Sequence, residues 1–129
     1  MVLTLQDMPT IPVEARRIFR EGKWTERTSG LCLGFTNAAI AIMPRDQAFD
    51  FLLYCQRNPK PCPLLEVLDP GDPIVANLAP GADIRTEVAR YRVMVKGEVV
   101  DEPSDLTQHW RDDLVTFLMG CSGTFEAAL

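Results

Sequence analysis

The order of residue patterns predicts an α/β fold, and three observations carry that reading. A 13-residue stretch of helical periodicity lies at Arg45 to Arg57. Short apolar runs of strand length lie at Thr36 to Met43 and Leu114 to Met119. Between them an alternating segment, Arg90 to Asp101, has the pattern of a β-hairpin.

Taken in chain order, Pro12 to Glu21 reads as a first helix, with proline near its start and Gly22 just past its end. Trp24 and the small-residue turn Thr28-Ser29-Gly30 follow. The run Ala38-Ala39-Ile40-Ala41-Ile42, closed by Pro44, is too short for a helix and reads as a buried strand. In the next segment Ala48, Phe51, Leu52 and Cys55 share one helical face, and Phe49 with Leu53 widen it into an apolar cluster assigned to the core. Asp46 and Asp50 toward its N-terminal half and Arg57 at its end complement the helix dipole.

That helix runs into Asn58-Pro59-Lys60-Pro61-Cys62-Pro63. Each proline fixes φ and pushes the preceding residue toward extended backbone, so the track is expected to form a stiff, extended strut. A plain helix stop followed by an edge segment accounts for the same pattern. Leu68 to Ala82 is punctuated by Asp69-Pro70-Gly71-Asp72-Pro73 and Ala79-Pro80-Gly81 and reads as turn. Tyr91, Val93 and Val95 alternate with Arg92 and Met94, and a Lys96-Gly97 turn leads into Glu98 to Asp101. Ser104 is an N-cap for an expected helix through Trp110. Leu114 to Met119 reads as a central strand, and a further helix is expected from Thr124, with Phe125 and Leu129 in want of an apolar partner.

The chain has 129 residues, with 47% apolar and 24% charged, the composition of one globular domain. Net charge is −5, which argues against nucleic-acid binding. Ten of the thirteen basic residues are arginine, the side chain suited to carboxylates and phosphates, so a small anionic substrate fits. No apolar run approaches a membrane span, no membrane partner is expected, and the N-terminal residues lack signal-peptide character, so the cytoplasm is the expected location. Cys32, Cys55, Cys62 and Cys121 form no Cys-x-x-Cys pair and His109 stands alone, so reduced thiols are expected, with no metal and no cofactor.

Several residue groups have the chemistry of a site. Asp83 and Arg85, two apart, present a carboxylate beside a guanidinium: a base and a clamp, or a salt bridge that shapes the loop. Gly120-Cys121-Ser122 ends a strand before a helix start, where free N–H groups and a low-pKa thiol would serve acid–base work; a small residue packed at a tight turn is the other reading. Ser29 lies in a turn that could bind an anion or be only a turn. Cys62 is packed or catalytic, and Arg92 either reaches an anion or faces water.

Trp24, Thr28-Ser29-Gly30-Leu31, Phe49-Asp50-Phe51-Leu52-Leu53, Cys55 through Val67, Asp69 through Pro73, Pro80 through Thr86, Arg90 through Val93, Asp112 through Leu118 and Gly120-Cys121-Ser122 occur in an order that resembles the D-glutamate cyclase/hydro-lyase family. The resemblance spans nearly the whole chain and matches the N-terminal half of family members, which run to about twice this length. It implies a mixed sheet flanked by helices with a β-hairpin-containing α+β portion. It further implies addition or loss of water on a small amino or hydroxy acid, of the 5-oxo-D-proline/D-glutamate type. On that reading Asp83 or Cys121 transfers the proton, Arg85 and Arg92 clamp the carboxylate, Ser29 assists binding, and Ser122 is an oxyanion donor. The chain departs from the family at Cys32-Leu33 and at Gly123. Its length also fits a second expectation: a shortened, non-catalytic domain that associates as a homo-oligomer through its C-terminal face.

Overall fold

The computed structural model describes residues 3–121, and β5 (Leu114–Gly120) is the strand around which these residues are arranged. It pairs antiparallel with β1 (Ala38–Pro44) on one side and with the edge strand β2 (Leu64–Val67) on the other. Because side chains alternate across a strand, β5 serves two apolar layers. Val115 and Phe117 pack with Ala48, Phe51 and Leu52 of α2 (Arg45–Arg57). Leu118 packs on the opposite face with Leu68, Val75, Ala82 and Ile84. Phe117 is 1% exposed, and its ring meets Phe51 edge-on at 4.9 Å and 77°. Burying such a side chain stabilises the fold by roughly 1.5–3 kcal/mol.

Helix α1 (Pro12–Arg20) begins with proline at a position whose N–H would lack a helical partner anyway. Its Ala15 and Phe19, one turn apart, enter a separate cluster with Met8, Trp24, Leu31 and Ala89. Strands β3 (Val93–Val95) and β4 (Glu98–Asp101) form their own two-stranded sheet. Lys96 and Gly97 both take positive φ, the geometry that lets a two-residue turn match strand twist.

The expected fold class holds. Helix α2 packs on the three-stranded sheet, a β-hairpin stands apart from it, and every strand pairing among the described residues of this α+β arrangement is antiparallel. The α2 helix occupies the expected residues, and β5 is central as expected.

Three local expectations are corrected. No helix forms over Ser104 to Trp110. The Asp105 carboxylate accepts the Thr107 N–H at 2.7 Å, and the Leu106 N–H donates to the Arg85 carbonyl at 2.8 Å, so the backbone bonds are drawn away from a helix. The proline track is a turn rather than an extended strut: the Cys62 N–H donates back to the Asn58 carbonyl at 3.0 Å. The alternative reading, a helix stop followed by an edge segment, describes the observed chain. Phe49 is 65% exposed and stands outside the core cluster to which it was assigned. Glu66 and its strand neighbours pair with β5 through a bulge that the sequence pattern did not reveal. The helix expected from Thr124 lies outside the described residues.

The turn-rich segment after β2 is fixed at close quarters. Gly71 has φ +79°, and a Cβ there would lie 2.7 Å from the Asp112 carbonyl oxygen. The Trp110 indole N–H donates to the Gly71 carbonyl at 3.3 Å. At the far end of β5 the Gly120 N–H donates to the Pro63 carbonyl at 2.9 Å, which fastens the end of the proline track to the central strand.

Candidate functional site

A cleft of about 370 Å³ opens between α1, the 28–40 segment and the 75–89 segment. Its size is that of a small-molecule site. Ile40, Ala82, Ile84 and Leu118 make part of its lining apolar. Arg16, Thr28, Asn37, Asp83 and Glu87 bring polar groups to the same space.

Arg16 lies on α1 one position after the buried Ala15, which turns its guanidinium toward the 83–89 segment. Its Nε is 3.7 Å from Glu87 Oε1, longer than a hydrogen bond, and is buried with no hydrogen-bond partner among the described residues. Arg20, one turn on, lies 3.9 Å from the same oxygen. The Arg16 and Glu87 side chains are 21% and 12% exposed. Glu87 Oε2 accepts the Asp83 N–H at 2.9 Å, so one carboxylate oxygen is anchored and the other faces two cations. An arginine donor left unmatched in a partly desolvated cleft is a ready partner for a ligand carboxylate.

Asp83 and Arg85 are brought together as a bidentate pair. Arg85 Nε and Nη2 donate to Asp83 Oδ1 and Oδ2 at 3.0 and 2.8 Å, and the Arg85 N–H adds a third contact to Oδ1 at 3.0 Å. The Arg85 side chain, against the cost of burial, holds the Asp83 carboxyl below the usual carboxylate range. Asp83 lines the cleft and Arg85 supports it from behind, outside the cleft lining.

Thr28 Oγ1 donates to Asn37 Oδ1 at 2.8 Å, and Asn37 Nδ2 donates to the Thr28 carbonyl at 3.4 Å. The Cys121 thiol donates to the Asn37 carbonyl at 3.4 Å, which places it beside the cleft although it is not part of the lining. Ser29 adjoins Thr28 and is likewise outside the lining. Cys32 does line the cleft; burial pushes its thiol upward and the Arg16 charge opposes this. Its Sγ donates to the Pro9 carbonyl at 3.6 Å.

Arg92 is not brought to this site. It pairs with Glu102 at 3.2 Å and lines a second hollow beside the hairpin, which shares Ile40 with the cleft. Ser122 lies outside the described residues. Among the described residues no cluster of His, Cys, Asp and Glu is placed to hold a metal ion, and no helix is long and apolar enough to cross a membrane.

Arg16 and Glu87 were missed by the sequence reading. A signal was present in α1: Arg16 and Arg20 are like charges at i and i+4, an arrangement that repels unless a carboxylate is shared. The identity of that carboxylate depends on a contact distant in sequence.

The fold and the cleft thus define an α+β chain with a cleft of small-molecule size. The chain is similar to curated proteins named "Putative hydro-lyase". It is 55% identical over 116 residues to one from Rubrobacter xylanophilus, covering 90% of this chain and 45% of that protein. It is 55% identical over 118 residues to one from Afipia carboxidovorans, covering 92% and 44%. The counterpart from Streptomyces coelicolor is 56% identical over 118 residues, covering 92% and 42%. No family model matches the chain. The chain spans less than half the length of the curated relatives it matches, in keeping with the half-length resemblance read from its motifs.

Proposed function

We propose that the cleft bounded by Arg16, Asn37, Asp83 and Glu87 is a hydro-lyase-type site that binds a small carboxylate and supports addition or loss of water. The observation that carries this reading is Arg16, which lines a cleft of substrate size beside Glu87 and whose buried Nε has no hydrogen-bond partner among the described residues. The relatives' names support the same reaction class.

In this reading Arg16 anchors the substrate carboxylate through its guanidinium fork. Glu87 is placed for proton transfer, since one of its oxygens is not committed to the Asp83 N–H. Asp83, locked by Arg85, positions Glu87 through that N–H and keeps negative charge near the proton path. Cys121 beside Asn37 is the second proton-transfer candidate. The substrate type is 5-oxo-D-proline/D-glutamate. Water oxygen adds to the lactam carbonyl carbon, the ring C–N bond breaks, and the nitrogen gains the proton that the water loses.

Calorimetry and amino-acid release with 5-oxo-D-proline and D-glutamate test the proposal. Saturable binding with interconversion of the two is the expected result. If a full-length relative binds and converts them while this chain binds neither, the site does not lie in this cleft.

A further inference from the structure

Glu66 lies on β2, outside the cleft, yet its carboxylate accepts three consecutive backbone N–H groups from the cleft wall. Ala76 N–H donates to Oε2 at 2.9 Å, Leu78 N–H to Oε1 at 2.7 Å, and Asn77 N–H lies 3.2 Å from both oxygens. The wall closes on itself elsewhere: Val75 N–H donates to the Ala82 carbonyl and Gly81 N–H to the Val75 carbonyl, both at 2.9 Å. The amides of 76–78 have no backbone partner of this kind among the described residues, so Glu66 completes the hydrogen bonding of the turn.

The bulge in β2 makes this contact possible. Leu64 opposes Met119, but Glu66 opposes Leu118 instead of Phe117 because one extra residue is inserted. Residues directly opposite in antiparallel strands share a face. Without the bulge Glu66 would join Phe117 on the α2 face, where its charge would meet the apolar cluster. With it, Glu66 joins Leu118 on the face that carries Val75, Ala82 and the cleft. Burial raises the Glu66 carboxyl, and the N–H groups of Leu78, Ala76 and Asn77 together outweigh that and hold it below the usual range.

We infer that Glu66 is a positioning residue for the cleft: by holding the backbone of 76–78 it sets the place of Val75, Leu78 and Ala79, and so the affinity for a ligand it does not touch. The ligand part of this inference rests on the function proposed above; the hold on the wall does not.

Hydrogen exchange of Glu66→Gln and Glu66→Ala, with 5-oxo-D-proline calorimetry on the same samples, tests it. Glutamine offers a single acceptor oxygen, so its effect should be the smaller. The amides of 76–78 are expected to exchange roughly tenfold or more faster in Glu66→Ala while those of β5 keep wild-type protection. Ligand affinity is expected to fall roughly three- to tenfold in the same variant. Unchanged exchange at 76–78, or an equal rise in β5, would overturn the inference. Altered exchange at 76–78 alone, in a protein that binds no carboxylate ligand even as wild type, would uphold the hold on the wall and remove the proposed function.

Discussion

Replacing Arg16 by alanine removes the one guanidinium donor in the cleft that is buried and unmatched among the described residues. Within the folded chain the loss is small. Arg16 Nε and Glu87 Oε1 are 3.7 Å apart, Arg20 remains 3.9 Å from the same oxygen, and Asp83 N–H still holds the other. Such a loose pair is worth under about 1 kcal/mol, or a fall in Tm of less than about 5 °C. For a bound carboxylate the loss is larger. A hydrogen bond to a charged partner contributes roughly 1.5–3 kcal/mol, so Kd for 5-oxo-D-proline should rise about 10- to 150-fold. Arg16→Lys, which keeps charge without the fork, should fall between. Titration calorimetry with 5-oxo-D-proline and with the same lactam lacking its carboxylate separates the contributions. Wild type should prefer the carboxylate-bearing ligand, and Arg16→Ala should lose that preference while binding of the bare lactam stays the same. Wild-type affinity for 5-oxo-D-proline in Arg16→Ala would refute the assignment of Arg16 as anchor.

Three further outcomes follow from the packing. Gly71→Ala combines a positive φ of +79° with a Cβ 2.7 Å from the Asp112 carbonyl, and should cost roughly 2–4 kcal/mol in urea unfolding; a cost below about 0.5 kcal/mol would show that the 69–73 turn is not held against Asp112. Tyr91 donates to the Ile84 carbonyl at 2.7 Å, and burial together with the Asp83 charge raises its phenol above the ordinary value near ~10. Because the folded form holds this proton more tightly, its contribution is complete below the unfolded pKa and is lost as pH rises through the folded one, so tyrosinate absorbance from Tyr91 should emerge with alkaline unfolding; Tyr91→Phe should cost roughly 1–2 kcal/mol at neutral pH and blunt that loss. Thr116 is fully buried and its hydroxyl has no hydrogen-bond partner among the described residues. Thr116→Val should therefore raise stability by about 1 kcal/mol, and a loss of that size would mean that the hydroxyl is satisfied in solution.

Local chemistry explains which parts of the fold were legible. The α2 helix was readable because Ala48, Phe51, Leu52 and Cys55 keep helical spacing between Pro44 and Asn58. The hairpin was readable because Lys96-Gly97 is a turn that β-strands demand. The helix expected over 104–110 failed because the Leu106 amide has a partner at Arg85, which no window around Ser104 contains. The proline track was read as extended from its φ restrictions, but the N–H of Cys62 could still reach back to Asn58. In the site, Asp83 and Arg85 were identified together and do meet, in the pairing that was one of their two readings. Arg16 with Glu87, and Glu66 with the 76–78 amides, depend on contacts between distant segments and on a one-residue bulge. Composition and periodicity do not specify either.

The central claim is that a small carboxylate binds at Arg16 in the α1 cleft. An NMR titration of the labelled chain with 5-oxo-D-proline, read at the Arg16 Nε–H, tests it most directly. This resonance and the amides of Thr28, Asn37 and Ala82 are expected to shift together with one Kd, while those of Arg92 and His109 in the second hollow stay fixed. Shifts confined to Arg92 and His109, with Arg16 unmoved at saturation, would contradict it.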